Sequence, residues 1–287
     1  MKSPSMRNRF GQRLKILAFA LPLLFCGAAA FSEDNPEQFF NEGLQYENET
    51  RYPEALESYQ KSIEKKSNVA QAWNRMGVIY LKINHKVEAL DALKRAVATD
   101  SRFAEAYDNL GQACDKSGKS LEAVQAYKKA ISLQPNYAAA YFHMGQSYLS
   151  KQFYRPAIEA FKKTAAIDPH YVEAYYHLGL AYDNLQQFKE AIKTYKDAIR
   201  AKNDYAEAYN RMGVDYFNLG KREDAVNAYE EAIRIRPDFA EAHYNLGLAY
   251  AVQGDRQAAL REHTLLKDLD VTFANRLFPV IPRSEGK

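Results

Sequence analysis

A glycine recurs every 34 residues along this chain, at Gly43, Gly77, Gly111, Gly145, Gly179, Gly213 and Gly247. The text around it repeats as well: "AQAWNRMGVIY" begins at Ala70, "AEAYNRMGVDY" at Ala206 and "AEAHYNLGLAY" at Ala240. Fixed-period self-similarity constrains a fold more than length does. One repeat is one supersecondary unit, which buries its apolar face only by stacking on its neighbours. The 287 residues are therefore read as a linear array rather than as one or two globular domains.

Three further positions keep the same register. Twelve residues after each glycine stands an alanine, from Ala55 to Ala259, and four before it a large ring, from Phe39 to His243. Three residues after it stands a tyrosine, replaced only in the third unit, by Cys114. Small residues at two fixed points let two helices approach closely, while rings and aliphatics three or four apart make the stripe each helix buries. Each unit is thus expected to be a helical hairpin. Gly118, Gly220 and Gly254 mark its turn, and Pro135, Pro169 and Pro237 mark the end of its second helix.

This pattern of ring, Leu/Met-Gly, Tyr, Ala, ring, Ala and Pro resembles the tetratricopeptide repeat. Ser67, Ser101, Asn203 and Val271 stand where that repeat carries its terminal proline. The resemblance implies an all-α fold, a right-handed superhelical solenoid. The seven units are placed at 36–69, 70–103, 104–137, 138–171, 172–205, 206–239 and 240–271. Residues 272–287 are expected to form a short capping helix, ending at Pro279, and a tail.

The N-terminus reads differently. Lys2, Arg7, Arg9, Arg13 and Lys15 precede the apolar run "ILAFALPLLFCGAAAF", and small residues follow at Ala28, Ala30 and Ser32. That is the three-part pattern of a secretory signal peptide, over residues 1–32, with cleavage after Ala30 or Ser32. The expected location is the periplasm or outer cell envelope. Two alternatives would tie the chain to a membrane: an uncleaved anchor at 16–31, which Pro22 and a length short of ~20 residues disfavour, or lipidation at Cys26, where Phe25 occupies the place of a small residue. Setting the five basic residues aside lowers the formal net charge from +3 to −2, because residues 1–32 hold no acid. A near-neutral body lacks the clustered basic excess of a nucleic-acid binder, so no nucleic-acid partner is expected. Cys114 alone remains after cleavage, which precludes an internal disulfide.

The resemblance further implies that the first helix of each unit lines a concave groove holding a peptide, with the residues two and three before the glycine and one after it facing the ligand. Two before the glycine lie Asn41, Arg75, Asn109, His143, His177, Arg211 and Asn245, a ladder of polar groups suited to a peptide backbone or its carboxylates. Glu207 stands four residues before Arg211 and is expected to pair with it, whereas Arg75 has only Gln71 there and is the better ligand. Three before the glycine, Phe142 and Tyr176 offer an apolar anchor beside the two histidines. Two imidazoles without a third ligand make a poor zinc site, so no metal or other cofactor is expected.

No H-E-x-x-H, G-x-S-x-G, P-loop or C-x-x-C motif occurs, and no catalytic machinery is expected. The expected function is a non-catalytic scaffold that holds a protein or peptide segment. Its alternatives are a structural homo-oligomer and an accessory subunit of an envelope enzyme.

Overall fold

The computed structural model describes residues 36–282. The signal-peptide reading, both cleavage sites, the Cys26 reading and the last residues of the tail lie outside them.

Fourteen helices among the described residues pair into seven hairpins. In chain order they are α1 (Pro36–Asn48) with α2 (Tyr52–Glu64), α3 (Val69–Lys82) with α4 (Lys86–Thr99), α5 (Ala104–Lys116) with α6 (Ser120–Leu133), and α7 (Ala138–Ser150) with α8 (Tyr154–Ile167). They continue as α9 (Val172–Asn184) with α10 (Phe188–Ala201), α11 (Ala206–Asn218) with α12 (Arg222–Ile235), and α13 (Ala240–Gln253) with α14 (Arg256–Leu269). Helices this short are marginal alone, so their stability rests on packing. Each hairpin packs on the next, and the successive first helices α3, α5, α7 and α9 also touch one another. That closeness puts the first helices on the inner face of the solenoid.

The glycine and alanine positions have a steric cause. A Cβ on Gly111 would lie 2.4 Å from the Tyr127 ring, and one on Gly179 would lie 2.4 Å from the Tyr195 ring. Both rings belong to the second helix of the same hairpin. The alanine of each second helix is buried without exception, from Ala55 to Ala259. Sequence alone placed these contacts because only a missing or minimal side chain permits them.

All seven turns reverse direction in the same way. The residue seven after each register glycine has positive φ: Gly118, Gly220 and Gly254, but also Thr50, Asn84, Gln152 and Gln186. The next residue donates its N–H back five positions, as Arg51 does to Tyr46 O and Lys119 to Cys114 O, which closes a Schellman motif. Three units therefore use glycine, while four hold an L-residue in the left-handed region at some cost. Second helices stop at a common register with or without the terminal proline, as α10 and α12 illustrate.

After the seventh hairpin, α15 (Val271–Leu277) begins under Asp270, whose side chain accepts from the N–H groups of Thr272 and Phe273. The helix ends at Leu277 rather than at Pro279, which lies within a following 3-10 turn, Phe278–Val280. Leu277 packs on Gly247 in place of the usual second-helix ring, and the Phe273 ring lies tilted, 5.0 Å from that of Tyr244. Two histidines that replace rings are packed: His243 bridges Glu262 and Pro237 O, and the His263 ring lies tilted against Phe278. No described helix is long and apolar enough to cross a membrane.

Candidate functional site: a polar seam and a recess on the inner face

The ladder two residues before the glycine is present, but most of its members are already engaged. Asn109 Nδ2 donates to Asn74 Oδ1 at 2.9 Å, and Asn245 Nδ2 donates to Asn210 Oδ1 at 2.9 Å. His143 Nδ1 lies 2.9 Å from Asp108 Oδ1, and the His177 ring sits edge-on to Phe142 at 5.4 Å. Arg211 hydrogen-bonds Tyr176. Each of these pairs joins a residue to one 35 positions earlier, that is, to the residue three before the preceding unit's glycine. The two rows thus form a diagonal staircase that stitches successive first helices together. A buried polar group needs such a partner, so part of the donor capacity expected for a ligand is spent inside the protein.

Several expectations are corrected by this arrangement. Arg211 does not pair with Glu207. It lies 3.5 Å from Glu241 of the next unit, while Glu207 accepts from Arg236 at 2.8 Å. Arg75 is not unpaired either, because Glu47 of the first unit approaches it at 3.9 Å. Phe142 is only 6% exposed and packs on Phe161 and Tyr171, so it is core rather than an anchor for a ligand. Tyr176 is half-buried against Tyr195 and Tyr205. His177 is held by Phe161 and Phe142, and burial pushes its pKa down, which keeps the imidazole neutral. Asn41 is exposed on the first helix. No cluster of three or more metal-ligating residues occurs among the described residues.

What remains open to a ligand is a recess between the third and fourth units, with a volume of about 430 Å³. Gln112 and His143 meet there with Gln146, Ser150, Lys116 and Lys151. Gln112 and Gln146 stand one after their glycines on α5 and α7, the third position expected to face a peptide. His143 commits Nδ1 to Asp108 and leaves Nε2. Beneath them, Asp115 accepts from Tyr127 Oη at 3.0 Å and Ser147 Oγ at 2.8 Å. Burial raises the Asp115 pKa while those two hydrogen bonds oppose the rise. Side-chain amides, a hydroxyl, an imidazole and two ammonium groups can hold backbone amides and carboxylates.

Asp115 belongs to a second pattern, with a period of two units. Four residues after the glycine stand Glu47, Asp115 and Asp183 in alternate units, and each accepts from the tyrosine hydroxyl of its own second helix: Tyr59, Tyr127 and Tyr195. The intervening units put Leu81 with Leu93, and Leu149 with Phe161, at the same places. The neighbour completes each acid differently. Glu47 meets Lys82 at 3.2 Å, Asp115 meets Ser147, and Asp183 meets a second carboxyl, Asp215, which is 1% exposed. Two carboxyl groups hydrogen-bond only if one keeps its proton. Burial and Asp183 accordingly push Asp215 up to about 9.

Fold and inner face together define an α-solenoid of helical hairpins with a polar, partly self-satisfied groove. Tetratricopeptide repeat profiles match residues 40–102, 115–152, 172–205 and 213–254. The chain belongs to the tetratricopeptide repeat family. It is similar to the crystal structure of MamA, with 31% identity and a TM-score of 0.55 over 58% of this chain and 97% of the other. It is also similar to YrrB, described as a TPR protein with an unusual peptide-binding site, with 25% identity and a TM-score of 0.56 over 67% of this chain and 100% of the other. The C-terminal part of a TPR repeat-containing protein from Cytophaga hutchinsonii shares the fold at 19% identity, with a TM-score of 0.69 over 85% of this chain and all of the other. No curated protein matches the chain significantly.

Proposed function

We propose that this chain is a non-catalytic scaffold that holds an extended, acidic segment of a partner protein across the recess between its third and fourth units. The observation that carries the reading is the convergence there of Gln112, His143 and Gln146 with Lys116 and Lys151. Here too the amide nitrogens are engaged, Gln112 Nε2 with Asp108 at 3.1 Å and Gln146 Nε2 with His177 at 3.4 Å, which leaves their amide oxygens, His143 Nε2 and the two lysines to meet a ligand. The resemblance to a repeat protein with a peptide-binding site supports a peptide as the ligand. The basic, then apolar, then small-residue start of the chain supports work in the exported space or cell envelope.

Capture from a cell-envelope extract tests the proposal, with the native chain compared with Lys116→Glu, Lys151→Glu. Both lysines stand at helix ends, so the helical melt should survive the change. A partner retained by the native chain and lost by the charge-reversed one is the expected result. Equal retention by both would remove the recess from the account.

A further inference from the structure

The third unit lacks the tyrosine that every other unit carries three residues after its glycine, and the space is not refilled. Cys114 stands there, and beside it is a cavity of about 280 Å³ between α4 and α6, floored by α5. Leu90, Leu110, Ala126 and the ring of Tyr107, the residue four before the glycine, line its apolar part. The sixth unit shows what normally fills this place. There Lys196, from the preceding second helix, lies 5.6 Å from the Tyr216 ring centroid, and Lys221, from the turn, lies 5.8 Å from it. In the repeat register Lys196 corresponds to Lys94, and Lys221 corresponds to Lys119. Both Lys94 and Lys119 line the cavity. The fifth unit keeps half of this arrangement: Lys162 lies 5.9 Å from the Tyr182 ring, while Gln187 stands where the turn lysine would be. The cavity therefore keeps the apolar walls and the two ammonium groups of a ring site while its ring is missing.

From this we infer that the cavity at Cys114 binds an aromatic side chain of a partner polypeptide, flanked in that partner by carboxylates. The ring takes the place that Tyr216 and Tyr182 occupy in their own units. Cations over its face attract the ring's negative quadrupole. The rim also carries Lys129, which lies 6.0 Å from the Tyr107 ring, so three ammonium groups face one carboxylate, Glu122, and this charge excess selects acidic neighbours for the ring. The site lies on the opposite side of α5 from the inner-face recess, so it stands or falls independently of the proposed groove.

The test uses the full chain and the peptide acetyl-Asp-Tyr-Asp-amide. Cys114 is only 4% exposed, so iodoacetamide labels it slowly, and bound peptide should slow that labelling further in a saturable way, read at the Cys114 peptide by mass spectrometry. Both the phenylalanine and the cyclohexylalanine analogues keep the charge and lack the hydroxyl, and the cyclohexyl one, with a ring of similar size but no π face, should protect less than the phenylalanine one. Lys94→Gln and Lys119→Gln leave Cys114 in place, and each should weaken protection about threefold. Cys114→Tyr restores the residue of the other units, and by saturation-transfer NMR it should abolish peptide binding while charge reversal at Lys116 and Lys151 leaves binding intact. Four results would overturn the assignment: no saturable protection, equal protection by the cyclohexyl and phenylalanine analogues, indifference to both lysine changes, or undiminished binding to a folded Cys114→Tyr chain. Protection by free 4-hydroxyphenylacetate but not by the peptide would replace the polypeptide with a small aromatic acid, and so overturn it too.

Discussion

Replacing Asp215 by asparagine should stabilise this protein at neutral pH, although the residue is buried and hydrogen-bonded. Asp215 is pushed up to about 9, from an ordinary 3.8, by burial first and by Asp183 second, with Arg211 opposing the rise. Burial pushes Asp183 up as well, but the Tyr195 hydroxyl that it accepts at 2.5 Å, the Asp215 hydrogen bond and Arg211 oppose that rise, so it is the partner that ionises. The folded state keeps a proton on Asp215 that the unfolded chain releases above about pH 4. Stability contributed by the pair is therefore complete below that pH and is lost as pH rises toward 9. At about 1.4 kcal/mol per pH unit, the loss between pH 4 and pH 7 reaches about 4 kcal/mol. Asparagine donates an N–H to Asp183 in place of that proton and removes the pH dependence. Guanidinium unfolding of both proteins at pH 4.5 and 7.5 measures the effect. The two should be close at pH 4.5, with Asp215→Asn more stable by up to about 4 kcal/mol at pH 7.5. A variant less stable at both pH values would mean that Asp215 is ionised and paired with Arg211, and the shared-proton account would be wrong.

Other consequences concern packing and turns. Thr50→Gly should stabilise the first hairpin by about 1 kcal/mol, because a β-branched residue there holds a φ of 59°; a lowered melting temperature would contradict the strain argument. Gly111→Ala should cost about 1–3 kcal/mol, since the new Cβ would meet the buried Tyr127 ring at 2.4 Å, and the denaturant midpoint reports it. Phe142→Ala should cost about 3–5 kcal/mol of stability as a core deletion, whereas an unchanged unfolding curve with lost partner binding would restore Phe142 as an anchor.

The hairpin register was fully legible in the sequence because its determinants are steric and local. A glycine under a ring, or an alanine where two helices meet, admits few substitutes, and both recur at constant spacing. The inner face was legible only in part. Spacing within one helix suggested a Glu207–Arg211 pair, but the nearest opposite charges come from other helices: Glu241 of the next unit for Arg211, and Arg236, just past the second helix of the same unit, for Glu207. Reading the row two before the glycine against the row three before it, one unit back, would have exposed the staircase: Asn109 on Asn74, His143 on Asp108, Asn245 on Asn210. The alternation of Glu47, Asp115 and Asp183 with Tyr59, Tyr127 and Tyr195 was likewise written in the sequence, but only at a period of two units. Lys116 and Lys151 carried no signal, because exposed lysines at helix ends are common and only the fold brings these two to one recess.

The most direct test of the central claim is to find which face touches the partner. A photo-crosslinking p-benzoylphenylalanine is placed at Gln146 in the recess and, separately, at exposed Lys193 on α10, away from the Cys114 cavity, and each chain is illuminated with the captured partner bound. The account predicts a covalent adduct from position 146 and none from 193. Adducts from 193 alone would place the partner on the outer helices and contradict the groove.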